Sequence, residues 1–522
     1  MSTTEEHPPE EARAGEDFVA AERAHRLGKL EALRERGLDP YPVRFDRDTT
    51  LGAVRARFGD LAAGTETDAV VRVAGRVMLI RRHGGLAFAD LHDQTGTVQL
   101  MASRDELAGD ERDFAELDRG DWVGVEGTVM VTRRGELSIR VRSFVLLAKA
   151  LRALPDKHGG LVDVDTRLRQ RHLDLMVNAQ TRRIFEVRSR VIAAVRRVLI
   201  ERGFTEVETP VLDAQAGGAA ARPFVTHQNA LDVDMYLRIA LELPLKRCVV
   251  GGFEKVFEIG RVFRNEGLDA RHNPEFTLLE AYEALADYRD MMGLVETLVS
   301  EAARDATRTT VIQVDGREID LAPPWRRVTM ADLIDERNGA RMHPSMPIAQ
   351  ARAICDRLGI AYESGWGAGR LMAEVYDETC EGALVEPTFV HDYPREVSPL
   401  ARAHRDDPEL VERFEAVVAG RELANAYSEL NDPVDQRARF EADAAAKAAG
   451  DAEAEAIDEG YIRALEYGLP PTGGLGLGLD RVVMLLAGAS SIREVILFPT
   501  MRPAEGVGAR TTHEGLSSSG VP

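Results

Sequence analysis

The spacing of apolar residues changes character several times along the chain, and each change marks a different kind of element. Residues 1–15 are rich in proline and glutamate and are expected to be disordered. From Asp17 to Gly37 the stretch DFVAAERAHRLGKLEALRERG reads as a charged amphipathic helix. Leu27, Leu30 and Leu33 fall near one stripe and Gly37 stops it. This helix and a connector occupy 16–65. Between Asp68 and Ala148 the period becomes two. AVVRVAGRVMLIRR, GLAFADLHD, GTVQLMAS, DWVGVEGTVMVT and ELSIRVRSFVLL predict five short strands separated by turn signals. Five strands in one short domain, 66–150, predict a small OB-type barrel, with a helix near Arg104–Leu117 between the third and fourth strands.

A linker is expected over 151–180, then one long mixed domain over 181–503 and a disordered polar tail over 504–522. Thr181–Gly203 has helical periodicity and a glycine stop, and FTEVETPVL after it reads as a strand with Pro210 near its end. VFEIGRVFR alternates, placing Glu258 and Arg264 on one parity and Phe257, Ile259 and Phe263 on the other. In EFTLLEAY the residues Phe276, Leu278, Glu280 and Tyr282 share a face. The charges of the loop between them, with apolar residues on both sides, predict two strands and an ordered loop lining a polar cavity.

ERFEAVVAGRELANAYSELND predicts a hairpin turning at Ala419-Gly420, with Val417 facing Glu422 and Glu415 as its diagonal neighbour. Strict alternation would put Asn425, Tyr427 and Glu429 on the face opposite Glu422. A bulge is required if both sets are to reach one pocket. GGLGLGLDR predicts a glycine-rich strand followed by a helix whose first turn carries Arg481, a cation that opposes the helix dipole unless an anion lies nearby.

Composition narrows the choices. The 522 residues are 44% hydrophobic, enough for two or three domains, and no apolar run approaches a membrane span. The N-terminus has no apolar signal core, and Cys248, Cys355 and Cys380 form no CxxC pair. A reduced, cytoplasmic setting is therefore expected, without a disulfide framework or a thiolate metal site. The net charge of −21 argues against binding through a blanket basic surface but leaves local patches, such as RLRQRHLDL, available. There is no P-loop, and the alternate glycines of GGLGLG do not have Rossmann spacing. Taken singly, the candidate groups stay ambiguous. Glu280 with Tyr282 is an ammonium holder or a surface carboxylate beside a tyrosine. Glu415 with Glu422 is a site for a hard cation or a solvated pair. Phe88 is a base-stacking residue or core.

Together these stretches resemble class II lysyl-tRNA synthetases over about residues 20–503. RGFTEVETPVL is similar to motif 1, FRNEGLDARHNPEFTLLEAY to motif 2 and GLGLGLDRVVMLL to motif 3, with YSELNDPVDQ and ALEYGLPPTGGLG pointing to the lysine branch. The resemblance implies an α+β chain: a five-stranded OB-fold barrel that reads the anticodon, then a six- to seven-stranded antiparallel catalytic sheet flanked by helices, in a homodimer formed through motif 1. It implies that L-lysine and ATP give lysyl-adenylate, which is transferred to tRNA(Lys). Arg264 would bridge the amino-acid carboxylate and the α-phosphate. Glu266, His272, Asn273 and Phe276 would hold ATP, Arg481 the γ-phosphate, and Glu415 and Glu422 Mg²⁺. Glu280, Tyr282 and Glu429 would take the lysine ε-ammonium. The Gly218 carbonyl and Glu242 would take the α-ammonium, Asn425 the α-carboxylate, and Tyr427 lies beside them. Arg76, Phe88, Gln99 and Glu136 sit where the family's anticodon readers lie.

The chain departs from the family's usual A-P-E-L-Y-L-K pattern in ALELPLK, where Leu241 replaces a proline and Pro244 a tyrosine, a change able to shift Glu242. His391 replaces a usual threonine. The main competing expectation is a paralogue that activates lysine or an analogue for another acceptor. A silent nucleic-acid binder is opposed by the retained Arg264, Glu415, Glu422 and Arg481. An aspartate or asparagine ligase is opposed by the carboxylates of the pocket.

Overall fold

The structure, a computed structural model, describes residues 10–103, 107, 114, 116–155, 161–215, 217–219, 221–448 and 457–503. The chain divides into two compact units, Met1–Gly160 and Leu161–Pro522.

In the first unit, strands β1 (Glu66–His83), β2 (Leu86–His92), β3 (Thr97–Ser103), β4 (Trp122–Val131) and β5 (Leu137–Ala148) close into a barrel in the order β1-β2-β3-β5-β4. Alternation decides what fills it: Val73, Val77, Ala89, Leu91, Val98, Leu100, Val125, Ile139 and Val141 point inward and are fully buried. The helix Glu10–Glu35 begins inside the stretch expected to be disordered. It is anchored by buried Arg26, which donates to the carbonyls of Arg119, Ala150 and Arg152. The helix expected at Arg104–Leu117 falls largely outside the described residues.

The second unit is built on a sheet of eight strands: β6 (Thr205–Glu206), β10 (Lys255–Phe263), β11 (Glu275–Ala284), β14 (Arg326–Thr329), β15 (Thr388–Pro394), β16 (Leu410–Val418), β17 (Arg421–Ser428) and β18 (Thr472–Gly478). Their order is β14-β15-β16-β17-β18-β11-β10-β6. The centre is antiparallel, but β6 pairs parallel to β10 and β14 parallel to β15, so the sheet has one strand more than the expected six to seven and is parallel at both edges. Two helices, Ala179–Glu201 and Tyr288–Thr307, cover one face. Their stripes of Val187, Val191, Val195 and Leu298, Val299 and Ala302 pack on Phe257, Leu279, Phe414 and Leu477. The other face lines a cavity. Between β11 and β14, strands β12 (Val311–Val314) and β13 (Arg317–Asp320) pair in a separate antiparallel hairpin. Among the described residues no helix is long and apolar enough to cross a membrane.

Two expectations need correction. FTEVETPVL is not one strand. It contributes only β6 and β7 (Leu212–Asp213), which belong to different sheets, and β7 joins β8 (Val225–Gln228) and β9 (Val233–Leu237) in a separate three-stranded sheet. Between them the backbone N–H and Oγ of Thr209 are drawn to Glu258 Oε2 (3.0 and 2.7 Å), which takes that segment out of strand pairing. The stretch 151–180 is not a plain linker either: it carries the helices Val164–Arg169 and Arg171–Val177. Its arginines are structural, since buried Arg171 pairs with Asp174 (2.7 Å) and donates to the carbonyls of Leu497 and Arg493.

Candidate active site

β10 and β11 form a hairpin in which Phe263 faces Glu275, Gly260 faces Leu278 and Glu258 faces Glu280. Phe276, Leu278, Glu280 and Tyr282 point to the open face, where a cavity of about 470 Å³ is bounded by β11, β16, β17, β18 and the loop after β10. That loop delivers Arg264, Glu266, His272 and Asn273 to the cavity. It is held by the Arg264 N–H bonded to the Pro274 carbonyl (2.8 Å) and by Asp269, which accepts from the backbone N–H groups of Arg271 and His272 and lies 2.8 Å from His272 Nδ1. These contacts, His272 foremost, bring the Asp269 carboxyl down to about 2. Buried Asn273 donates to the Glu275 carbonyl (2.6 Å), while its own Oδ1 has no partner among the described residues and is open to a ligand donor. The Arg264 guanidinium lies 5.2 Å from the Phe276 ring. Burial lowers the Arg264 pKa, and nearby Glu266, Glu422 and Glu280 oppose that shift.

The β16–β17 hairpin turns at Ala419 and Gly420, both with positive φ, and Val417 faces Glu422. Further in, Ala416 faces Ala424, so Leu423 is an extra residue on β17. This bulge turns Glu422 to the side that Asn425 and Tyr427 occupy. All three line the cavity with Glu415. The helix Leu479–Ala487 follows the glycine strand β18, and Arg481 in its first turn meets an anion: its Nη1 donates to Glu422 Oε2 (2.8 Å) and to the Glu422 carbonyl (2.9 Å). Burial and Glu422 push the Glu415 carboxyl up to about 7, against the pull of Arg413.

At the far end of the cavity a second group of charges converges. Glu280 accepts from the Leu241 N–H (2.9 Å) and the Tyr282 hydroxyl (2.9 Å). Burial, reinforced by Glu242, raises it to about 7. Glu242 opens the helix Glu242–Val250 and accepts from the Tyr427 hydroxyl (2.6 Å). One turn on, Lys246 lies wholly buried, with Nζ 2.5 Å from Glu242 Oε1 and ion-paired to Glu429. Apart from that ion pair, neither Glu429 oxygen has a hydrogen-bond partner among the described residues. The carboxylate lies so close over Gly474 that a Cβ there would come within 2.9 Å of Glu429 Cδ and 2.6 Å of Tyr282 Cε1. The Gly218 backbone, at φ +88°, runs beside Ala240 and Glu242.

With the departures in ALELPLK, Glu242 lines the cavity. Pro244 is the third residue of its helix, where the backbone nitrogen has no intrahelical acceptor to lose. His391 lies on β15 beside Asp392 and is not part of the cavity wall.

In the barrel, Phe88 and Gln99 are diagonal neighbours on the outer face of β2 and β3, since Ala87, Ala89, Val98 and Leu100 take the inner one. Ser138 Oγ joins Gln99 Oε1 (3.1 Å) to the carbonyl of Glu136 (3.1 Å). Arg76 is turned away to the Gly120 carbonyl (2.8 Å) and the Trp122 ring (5.3 Å).

Sequence reasoning missed two residues that organise the cavity. Arg413 donates to Asn425 Oδ1 (3.0 Å), Ser398 Oγ (2.9 Å) and Glu415 Oε1 (2.6 Å), tying together the two carboxylate-facing walls. Its strand parity with Glu415 was the available signal. Lys246 was the other, signalled by its position one helical turn after Glu242.

Residues 163–502 match the tRNA synthetases class II (D, K and N), and residues 71–147 match the OB-fold nucleic acid binding domain. The chain is 52% identical to a lysine–tRNA ligase of Moorella thermoacetica over 483 residues, 92% of this chain and 98% of that protein. It is 48% identical to the lysine–tRNA ligase of Nostoc punctiforme over 502 residues, 94% of this chain and 90% of that protein. Identity to the lysine–tRNA ligase of Synechococcus sp. (strain CC9902) is 50% over 487 residues, 92% of this chain and 97% of that protein.

Proposed function

Because the chain belongs to the lysine–tRNA ligase family of class II tRNA synthetases, we propose that it activates L-lysine with ATP to lysyl-adenylate and transfers the lysyl group to tRNA(Lys). The observation that carries the choice of lysine is the polarity of the cavity. Arg264 and Arg481 stand toward one end, Glu242 and Glu280 line the other, and Glu429 lies buried close to them. A zwitterion with a second ammonium at the end of its side chain matches that polarity, and an acidic side chain does not.

Arg264 and Asn425 would receive the lysine carboxylate. A carboxylate oxygen attacks the α-phosphorus of ATP, pyrophosphate leaves, and Arg264 stabilises the charge that develops on the phosphoryl oxygens. Glu266, His272 and Asn273 would hold ATP, with Phe276 against the adenine, the unpartnered Asn273 Oδ1 ready for a ligand donor, and Arg481 on the γ-phosphate. The Gly218 carbonyl and Glu242 would take the α-ammonium, with Tyr427 donating to Glu242 beside them (2.6 Å). Glu280 and Tyr282, already hydrogen-bonded to each other, would take the ε-ammonium together with Glu429.

Class II synthetases use ATP and in general Mg²⁺. Glu415 and Glu422 would hold such an ion: both line the cavity and are close enough to repel, so a cation between them would relieve that repulsion. The remaining ligands would be phosphate oxygens and water. When bound, the ion offsets charge on the departing pyrophosphate. The barrel would read the anticodon through the outer face that carries Phe88 and Gln99, beside Glu136, with Arg76 set apart. A homodimer through motif 1 is part of the same reading, supported by exposed Val211, Leu212, Val225 and Val233 around the small sheet.

Pyrophosphate exchange with each standard amino acid, followed by charging of purified tRNA, tests the proposal. Lysine should support exchange and tRNA(Lys) should be charged. Exchange with leucine equal to that with lysine would sink it.

A further inference from the structure

Arg413 lines the cavity from β16 without being one of the groups assigned to lysine, ATP or Mg²⁺. The strand pairing puts Glu415 directly opposite Asn425 on β17, and Arg413 stands two residues before Glu415 on the same face. Its guanidinium is tightly held. Nε donates to Asn425 Oδ1 (3.0 Å), Nη1 to the Val397 carbonyl (3.0 Å) and to Ser398 Oγ (2.9 Å), and Nη2 to Glu415 Oε1 (2.6 Å). The Tyr393 ring of β15 lies 4.5 Å from Cζ. Four of the five N–H groups of the fork are thereby committed, and a group fixed this way imposes its geometry on its neighbours.

The bond to Asn425 has only one possible polarity. An arginine N–H donates and cannot accept, so the amide atom that it meets must be the oxygen. The opposite orientation would set amide hydrogens against the Nε hydrogen. With Oδ1 taken, the Nδ2 end remains, and it makes no hydrogen bond to protein among the described residues. A competing pull comes from Glu415, whose Cβ as a cross-strand partner stands about 5 Å from that of Asn425 and whose carboxylate attracts amide hydrogens. Arg413 engages the Glu415 oxygen itself and so weakens that competitor.

We propose that Arg413 is a positioning residue that locks the Asn425 carboxamide with its Nδ2 donors toward the bound amino acid, which makes this wall of the cavity a donor surface for the α-carboxylate. The inference rests on the reading of Asn425 as a carboxylate contact. An amide free to turn offers its oxygen as readily as its donors, and the oxygen repels a carboxylate. A fixed amide offers donors alone. Arg264 supplies the charge that draws the carboxylate, and Arg413, acting through Asn425, supplies the direction.

The test is equilibrium binding of L-lysine and of cadaverine, which is lysine without its carboxylate, to the full-length protein. ATP and Mg²⁺ are left out, so that no metal at Glu415 enters the measurement. Arg413→Lys keeps the charge and loses the fork. It should weaken lysine binding at least about tenfold, the worth of one hydrogen bond to a charged group, and leave cadaverine within about twofold. In an Asn425→Ala background the same change should cost lysine less than about twofold, because the two residues act as one unit. Equal weakening of lysine and cadaverine, or an undiminished effect in Asn425→Ala, means that Arg413 serves packing only and overturns the proposal. If Arg413→Lys does not fold, Asn425→Asp carries the test. One of its oxygens keeps the Arg413 bond and the other replaces the outward donor, so lysine should bind at least about tenfold more weakly than to Asn425→Ala, and cadaverine no more weakly. Equal lysine affinity in those two variants overturns the proposal. A wild type with no preference for lysine over cadaverine would remove the functional reading, and this inference with it.

Discussion

Gly474→Ala is the sharpest single-atom test of the pocket. Gly474 sits in β18 between Tyr282 of β11 and Tyr427 of β17. An added Cβ would lie 2.6 Å from Tyr282 Cε1 and 2.9 Å from Glu429 Cδ, where carbon atoms prefer roughly 3.5–4.0 Å. β18 is paired on both edges and its backbone cannot retreat, so the Glu429 carboxylate and the Tyr282 ring must each give by about 1 Å. Overpacking of this size costs about 1–3 kcal/mol, and separating a buried ion pair costs about 3–5 kcal/mol. Taking about 3 kcal/mol as the part felt by bound lysine, kcat/KM for lysine should fall on the order of a hundredfold. KM for ATP should hardly change, because Arg481 adjoins Gly478, four residues along the strand and about 13 Å away at about 3.3 Å per residue. Gly476→Ala is the matched control: its Cβ would meet nothing closer than the Asn425 carbonyl at 3.7 Å, so any loss there is crowding of the substrate rather than a displaced carboxylate. Lysine-dependent pyrophosphate exchange at saturating ATP, with a thermal melt of each variant, gives the answer. A Gly474→Ala enzyme within threefold of wild type for lysine would refute the placement of Glu429.

Glu415→Gln with Glu422→Gln should abolish adenylate formation across a Mg²⁺ titration while the protein stays folded, and normal exchange in Mg²⁺ would show that the pair binds no metal. Phe88→Ala should weaken tRNA charging by about 1–3 kcal/mol, the usual worth of one base stack, while pyrophosphate exchange is unaffected; equal charging at subsaturating tRNA removes Phe88 from the reading surface. Glu280 stands near 7 because burial disfavours its charge, and a bound ammonium favours the ionised form. Lysine affinity should therefore be full above that pH and fall toward about tenfold per unit below it; a KM flat from pH 5.5 to 8 contradicts this.

Much of this site was legible because a strand's parity is fixed by its sequence. Phe276, Leu278, Glu280 and Tyr282 had to share a face whatever the fold, and the Ala419-Gly420 turn fixed which residues of the next hairpin oppose each other. Even the bulge at Leu423 followed from asking how Glu422 and Asn425 could reach one cavity. Long-range charge was not legible. Lys246 and Arg413 look like ordinary residues of a helix and a strand, and only the tertiary structure brings them to Glu429 and Asn425. FTEVETPVL failed for the same reason: its apolar-polar alternation predicts a strand, but Glu258, a residue of β10, takes the Thr209 N–H out of pairing.

Leu241 shows how a departure from a family pattern acquires a physical meaning. The family's usual proline has no N–H, whereas the Leu241 N–H donates to Glu280 Oε1 at 2.9 Å in a fully buried setting. Leu241 also sits at φ −106°, well away from the roughly −65° that a proline ring imposes. Leu241→Pro should therefore do two things. It removes a hydrogen bond to an ionised group, about 1.5–3 kcal/mol, and it strains the start of the helix that carries Glu242 and Lys246. The lost donor favours the protonated form of Glu280, so the pH midpoint for lysine binding should move up by about one to two units. Adding Pro244→Tyr should not rescue it, because the nitrogen at the third helical position has no bond to regain. The family-like double variant should thus bind lysine more weakly than the natural chain at pH 7. If it binds lysine better, the Leu241 N–H does not support Glu280, and the two substitutions in ALELPLK have displaced the pocket.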